Sequence, residues 1–154
     1  MPTDVPKFTA LAEVSADLLR KLGMNVDSRS MDMATVVQRR VNREPVDQGG
    51  WSTFCTSFAG VDQFNPAVHA YLRGDGGNGN IGWPTSTRIE ELRDTWLAAI
   101  DLTTRKKAAE QLQLQAFQDV PDIPLGQWRQ PNAHRTDLPG MLTGLPLFWN
   151  IRRG

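Results

Sequence analysis

Residues 51–59, WSTFCTSFA, place the strongest constraint on what this chain folds into. The segment is rich in aromatic residues, threonine and small residues, and Gly49 and Gly50 precede it. Such a composition is typical of a largely buried strand, and paired glycines end whatever element comes before them. The sequence therefore predicts a strand at residues 51–59 and a sheet around it.

Helical patterns lie on both sides of this strand. Apolar residues recur at helical spacing over residues 6–22, and Asp32 is placed to cap a second helix. Thr87 and Glu90 have the T-x-x-E spacing of a capping box, and Asp101 is placed to cap a fourth helix. Weaker strand candidates are MNVDSRSM, IPLGQW and PLFWNI. This order of helices and strands predicts an α/β fold.

The 154 residues suit one domain with a real core. Lys and Arg number 17, as do Asp and Glu, and this balance argues against a dedicated binder of nucleic acid or anionic membranes. Cys55 stands alone, so an intramolecular disulfide is excluded. The start, MPTDVPKFTA, does not have the pattern of a signal peptide. The sequence therefore predicts either a cytoplasmic protein or a piece of a longer chain.

Candidates for chemistry are few. His69 and His134 are the only histidines; His69 has no further metal-ligand side chain three or four residues along, and His134 has only Asp137, too few ligands for a metal site. A small hydrolase that uses Asp62 or Asp75 with a histidine stays open as an alternative. The Gly-rich stretch RGDGGNGN lacks the lysine and the spacing of a phosphate-binding loop, which favours a surface loop.

Asp62 is an isolated carboxylate in the turn AGVDQFNP, between Phe58 and Phe64. One interpretation is a turn residue that accepts hydrogen bonds from nearby backbone amides. The other is an anchor for a cationic group of a ligand, strengthened by the low dielectric of the neighbouring aromatic rings. Trp83 and Trp128 stand at the ends of predicted elements, where a tryptophan serves either core packing or ligand contact.

Several stretches in order resemble the final part of one protein family. They are MNVDSRSMDMATVVQRR, GGWSTFCTSFAGVDQFNPAVH, GWPTSTRIEELRDTW, QAFQDVPDIPLGQW and PLFWNIRR. These look like bacterial extracellular solute-binding proteins, the peptide-type (dipeptide and oligopeptide) binding proteins of ABC importers. The resemblance implies that residues 1–154 form a single domain, the C-terminal α/β lobe of a two-lobed protein, with an incomplete sheet and flanking helices.

The resemblance also implies a function. Members of the family clamp a peptide or a similar small solute between two lobes and pass it to a membrane permease. They work in the periplasm, carry no cofactor and are not enzymes. The N-terminal lobe and the signal peptide are then expected upstream of this chain. The alternative is a truncated lobe that binds no ligand by itself. A lobe without a strand exposes a sheet edge, so we expect a homo-oligomer or a swapped dimer of the isolated chain.

The family's acid for the peptide amino group matches Asp62, with Val61 inserted between it and the preceding glycine. The ligand-binding residues implied by the resemblance are Trp51, Phe58, Ala59, Gly60, Asp62, Phe64, Trp83 and Trp128. Relatives tend to have tryptophan where Phe58 stands, aromatic residues near Asn80 and Ile81, and tyrosine at Asp122. The resemblance therefore implies a pocket that is less aromatic than in relatives, and a different solute.

Overall fold

The computed structural model describes residues 1–129, 131–142, 144 and 147–152. These residues form four α-helices: α1 (Pro6–Lys21), α2 (Met33–Arg39), α3 (Thr87–Ala98) and α4 (Leu102–Asp119). Four short 3₁₀ helices lie between α2 and α3, at Val46–Gln48, Gly60–Asp62, Ala70–Leu72 and Gly76–Asn78. The chain divides into two compact units, Met1–Asp122, which holds all of these helices, and Ile123–Gly154.

The prediction of an α/β fold with an incomplete sheet is wrong. The described residues contain two isolated bridges, Pro2 with Met31 and Asp75 with Thr85, and no sheet. Neither bridge extends into a pair of strands, because a helical segment begins within a few residues after each of the four bridged residues. Residues 52–58 are not helical, and their backbone pairs with no other strand in the described part. A strand composition therefore does not produce a sheet without a neighbouring strand.

The other strand candidates also form no strand in the part of the chain that is described. MNVDSRSM contributes only the bridge at Met31, and IPLGQW has no regular structure. The first residue of PLFWNI, Pro146, lies outside the described residues. The described residues contain no sheet edge through which two copies could pair, and the homo-oligomer or swapped dimer stays a prediction.

The caps of α2 and α4 are confirmed. Asp32 accepts a hydrogen bond from the backbone N–H of Thr35 at 2.9 Å, and Asp101 accepts one from that of Thr104 at 2.8 Å. The threonine hydroxyls donate to the same carboxylates, and these bonds lower the pKa of both aspartates. The capping box at Thr87 is wrong, because the side chain that accepts at the start of α3 is that of Ser86.

Helix α1 occupies nearly the predicted residues, but its buried face differs from the apolar stripe of the sequence. Phe8 and Ala16 are buried, whereas Val14, Leu18 and Leu22 are exposed. The proline at the first helical position explains where the helix begins, because that position needs no N–H donor.

Helices α3 and α4 pack as a hairpin that forms the core of the first unit. Ile89 and Leu92 of α3 are buried with Ala108 and Leu112 of α4. The Ser86 hydroxyl at the start of α3 donates to Asp119 at the end of α4, so the helices run antiparallel. A shallow groove of about 270 Å³ opens between them and contains none of the predicted ligand-binding residues. Among the described residues, no helix combines the length and apolarity that crossing a bilayer requires.

Candidate functional site

The Gly-rich stretch is a folded loop bonded to the start of α3. Gly74 O accepts a hydrogen bond from the N–H of Ser86 at 2.9 Å, and the N–H of Gly76 donates to Pro84 O at 3.0 Å. A Cβ at Gly74 would lie 2.5 Å from Ser86 O, so only glycine allows this approach. The loop therefore has a defined path, and it brings Asn80 into the same region as the aromatic segment.

Two side chains of α3 hold both ends of residues 66–74, the segment that carries His69 and Tyr71. Arg93 is 8% exposed and donates from Nε to Pro66 O at 3.2 Å. Its Nη1 bonds the Glu90 carboxylate at 2.6 Å, and the other oxygen of that carboxylate accepts from the N–H of Gly74 at 2.6 Å. Glu90, which the sequence predicted to take part in a capping box, serves this clamp instead.

An aromatic cluster joins residues that are far apart in sequence: Arg43, Trp51, Phe54 and Trp83. The rings of Trp51 and Phe54 meet edge to face with centroids 4.7 Å apart, and those of Trp51 and Trp83 lie 6.3 Å apart. The guanidinium of Arg43 lies 4.4 Å from the ring centroid of Trp83. The predicted aromatic walls Trp51 and Trp83 are thus brought together, with a cation over one ring.

Trp83 has a backbone φ of 49°, in the left-handed region that side chains other than glycine rarely adopt. Such a conformation costs about 1 kcal/mol or more and persists where the surroundings impose it. Here the N–H of Trp83 closes a turn onto Asn80 O at 2.9 Å, while Trp51 and Arg43 pack on its ring. The strained residue is itself one of the predicted ligand-binding residues, and backbone strain tends to concentrate at functional sites.

A second group of residues surrounds Tyr71, which is buried. The ring of Phe58 meets it edge to face with centroids 5.2 Å apart. Burial raises the pKa of the Tyr71 hydroxyl, and the side chains of Asn80, Arg40 and Thr56 partly oppose that rise. We call Arg40, Phe58, His69, Tyr71, Asn80 and Asp122 the Tyr71 cluster. It contains Phe58, Asn80 and Asp122, positions at which the sequence resemblance indicated a smaller aromatic ring or none.

His69 and Asp122 form a half-buried pair of titratable groups within the Tyr71 cluster. Burial lowers the pKa of the His69 imidazole, and the negative charge of Asp122 partly offsets this. Burial likewise raises the pKa of the Asp122 carboxyl, and His69 partly offsets that rise. Sequence analysis did not pair these residues. Both have apolar neighbours in the sequence, and this was the available sign that they are partly buried.

We expect the pair to make stability depend on pH through His69. The folded state binds the His69 proton less tightly than the unfolded chain, so stability is lost as pH falls through about 6.5. The raised pKa of Asp122 acts with the opposite sign, in the more acidic window above its ordinary pKa of about 3.9. His69→Gln should therefore lose less stability than the unaltered chain between about pH 7.5 and about pH 5.5.

Urea unfolding at both pH values measures this difference as a shift of the midpoint. His134→Gln is the matched control, because His134 is exposed and belongs to the other unit. Equal losses in His69→Gln and in the unaltered chain would show that His69 is not desolvated in the folded protein.

Asp62 lies at the end of the 3₁₀ helix Gly60–Asp62, with its side chain exposed. Its backbone N–H donates to Ala59 O at 2.9 Å, but its carboxylate bonds no backbone amide among the described residues. The turn-residue interpretation therefore lacks the hydrogen bonds that it requires. Ala59 and Gly60 are exposed beside it, and Phe58 and Phe64 are 40% and 70% exposed. This part of the chain presents apolar rings and one acid to solvent.

The remaining candidates are Trp128, Asp75 and His69. Trp128 belongs to the second unit and is half-exposed. Asp75 pairs with Arg73, and His69 is paired electrostatically with Asp122 rather than with Asp62 or Asp75. Within the described ranges, no group of His, Cys, Asp and Glu side chains is arranged to hold a metal ion.

No protein-family model matches the chain. It is 34% identical over 152 residues to a probable peptide ABC transporter periplasmic-binding protein of Sinorhizobium fredii. That alignment covers 98% of this chain and 29% of the relative, so the chain spans less than a third of the length of the curated relative it matches. The relative's name describes a binding protein of a transporter, not an enzyme. The resemblance to the peptide-type solute-binding proteins of ABC importers is thereby confirmed over nearly the whole of this chain.

Proposed function

We propose that this chain supplies part of the solute-binding cleft of a longer periplasmic protein, which captures peptides or similar small solutes for an ABC importer. The observation that carries the proposal is the 34% identity over 98% of the chain to a peptide ABC transporter periplasmic-binding protein. Its partners on this proposal are the solute, the permease and a second lobe, and its location is the periplasm.

The arrangement of the first unit supports a binding surface. Ligand sites combine apolar and aromatic walls with a few placed polar groups. Trp51, Phe58 and Trp83 are partly exposed aromatic residues, and the Tyr71 cluster adds polar side chains beside Phe58. On this proposal a second lobe closes over these residues and completes the burial of the solute.

Asp62 is the proposed anchor for a cationic group, such as the amino group of a peptide. Its carboxylate is exposed, and no described residue neutralises it. The exposed rings of Phe58 and Phe64 stand on either side of it in the chain. Closure of a second lobe would exclude water here and strengthen the attraction between the carboxylate and an ammonium group. Ala59 and Gly60 would offer backbone groups to the same solute.

Isothermal calorimetry with mixed di- to pentapeptides tests the proposal on the longer protein and on this chain. We expect the longer protein to bind with micromolar or tighter affinity and the chain alone to bind roughly 100-fold more weakly or not at all, because half a cleft buries too little of a ligand. Tight binding by this chain alone, no binding by the longer protein, or hydrolysis of the peptides would each contradict the proposal.

Asp62→Asn should weaken binding of peptides with a free amino group by roughly 10- to 100-fold in the longer protein. The reason is that a hydrogen bond to a charged group contributes about 1.5–3 kcal/mol. The matched control is Asp47→Asn, since Asp47 is also an exposed acid in a three-residue 3₁₀ helix.

Amino-acetylated peptides should show no difference between Asp62→Asn and the unaltered protein, since they carry no ammonium group. An equal loss for free and acetylated peptides would assign Asp62 a structural role and remove it from the proposed anchor.

A further inference from the structure

Helix α1 carries a row of apolar side chains that stays exposed in the described chain. Val14, Leu18 and Leu22 recur at a spacing of four residues, and they are 68%, 54% and 66% exposed. Residues four apart lie on the same side of an α-helix, so the three side chains form a continuous row of about 12 Å. Met24, just beyond the helix, is also exposed. We call Val14, Leu18, Leu22 and Met24 the α1 stripe.

The exposure of the α1 stripe is unusual for a helix of this pattern. An amphipathic helix normally turns its apolar residues toward a core and its charged residues toward water. Here α1 buries Phe8 and Ala16 and leaves the stripe in solvent. Among the described helices only α3 and α4 pack closely on one another, so no helix covers the outer apolar side of α1. Contiguous exposed apolar residues of this kind mark an interaction surface.

The charges of α1 indicate what kind of partner the stripe fits. Glu13 and Asp17 lie on the same helix as Arg20 and Lys21, and Asp17 forms an exposed ion pair with Lys21 at 2.7 Å. A helix that lies on an anionic membrane has a polar face rich in Lys and Arg, which this mixed face does not match. An apolar row with polar residues of both signs around it is typical of a contact between protein surfaces.

We propose that the α1 stripe is the surface on which the remaining part of the longer protein docks, through an apolar face of its own. The inference rests on the proposed function, which makes this chain one part of such a protein. The alignment with the Sinorhizobium relative covers 98% of this chain, α1 included, but only 29% of the relative. Most of a protein of that length therefore lies outside this chain and is available to bury the stripe.

Cysteine labelling tests this surface. Leu18→Cys places a thiol in the stripe, and Glu13→Cys is the matched control, because Glu13 is exposed on the same helix about 140° around its axis from Leu18. Both new thiols lie in the tryptic peptide of residues 8–20, whereas Cys55 lies in a different peptide. Mass spectrometry of the peptides therefore reads each labelling rate separately.

We expect N-ethylmaleimide to modify Leu18→Cys at least roughly tenfold more slowly in the longer protein than in this chain, because a covered side chain reacts only during local opening. Glu13→Cys should react at the same rate in both. Equal rates for Leu18→Cys in the two proteins, or equal protection of both positions, would overturn the proposal. Should Leu18→Cys unfold the longer protein, Met24→Cys repeats the measurement at a position outside the helix.

Two further outcomes would assign the stripe to another occupant and overturn the proposal. One is protection of Leu18→Cys in this chain alone that rises with protein concentration, which would identify a second copy. The other is protection of this chain that appears only when phosphatidylglycerol vesicles are added, which would identify a membrane surface.

Peptide calorimetry on the longer protein separates this inference from the proposed function. If peptides bind and Leu18→Cys stays fully reactive there, the docking surface is overturned and the proposed function stands. If Leu18→Cys is protected and no peptide binds, the proposed function fails and the docking surface stands.

Discussion

Arg93→Met is expected to lower the free energy of unfolding by about 3 kcal/mol. Arg93 is buried, and its guanidinium bonds both the Glu90 carboxylate and Pro66 O. Methionine keeps the aliphatic stem but leaves a partly buried carboxylate without its cation and a backbone oxygen without a donor. Removing one partner of a buried ion pair costs more than the pair contributes, because the other charge stays desolvated.

Arg88→Met is the matched control for this change. Arg88 pairs with Glu91 on the same helix and at the same spacing, but both side chains are more than half exposed. An exposed pair contributes roughly 0–1 kcal/mol, so the control should change stability by less than about 1 kcal/mol. Urea unfolding monitored by tryptophan fluorescence measures both variants, and similar losses in the two would show that the clamp on residues 66–74 is not formed.

The same clamp connects stability to the candidate site. Arg93 and Glu90 hold the two ends of the segment that carries His69 and Tyr71. Arg93→Met should therefore also disturb the NMR signal of the Asn80 side-chain amide in the folded protein, whereas Arg88→Met should leave it in place.

Leu112→Ala is expected to lower the free energy of unfolding by about 3 kcal/mol. Leu112 is 0% exposed, and it is buried where α4 packs on α3. Truncation removes apolar contacts and leaves a cavity, since close-packed helices collapse only in part.

Leu114→Ala, two residues along the same helix, is the control. Leu114 is 58% exposed, so the same truncation should change stability by less than about 1 kcal/mol. Chemical unfolding of both variants gives the comparison. Equal losses would mean that α4 presents a different face to α3 from the one described.

The helix boundaries were the part of the fold most accessible from sequence. The caps at Asp32 and Asp101 were predicted, because a cap needs only a carboxylate and an N–H three residues further on. That residues 51–59 join no sheet in the described chain was not predictable from their composition alone. Their composition suits a strand, but a strand also requires a partner, and none lies beside them in the described chain.

The candidate site shows the same division between local and distant information. Sequence and resemblance indicated Trp51, Phe58 and Trp83 as aromatic walls, and the structure brings Trp51 and Trp83 into contact. It also pairs Phe58 with Tyr71, a residue that sequence analysis did not select. Asp62 stays a proposed anchor with an exposed carboxylate.

Sequence by itself determined the features that act over a few residues: where α1, α2 and α4 begin, the aspartates that cap α2 and α4, and the resemblance to a family of solute-binding proteins. Only the tertiary structure decided that Glu90 serves a clamp instead of a cap, that His69 is paired electrostatically with Asp122, and that Phe58 packs on Tyr71. The physical reason is that burial and pairing depend on segments far apart in the chain, and a side chain's role changes with the partner that packing supplies.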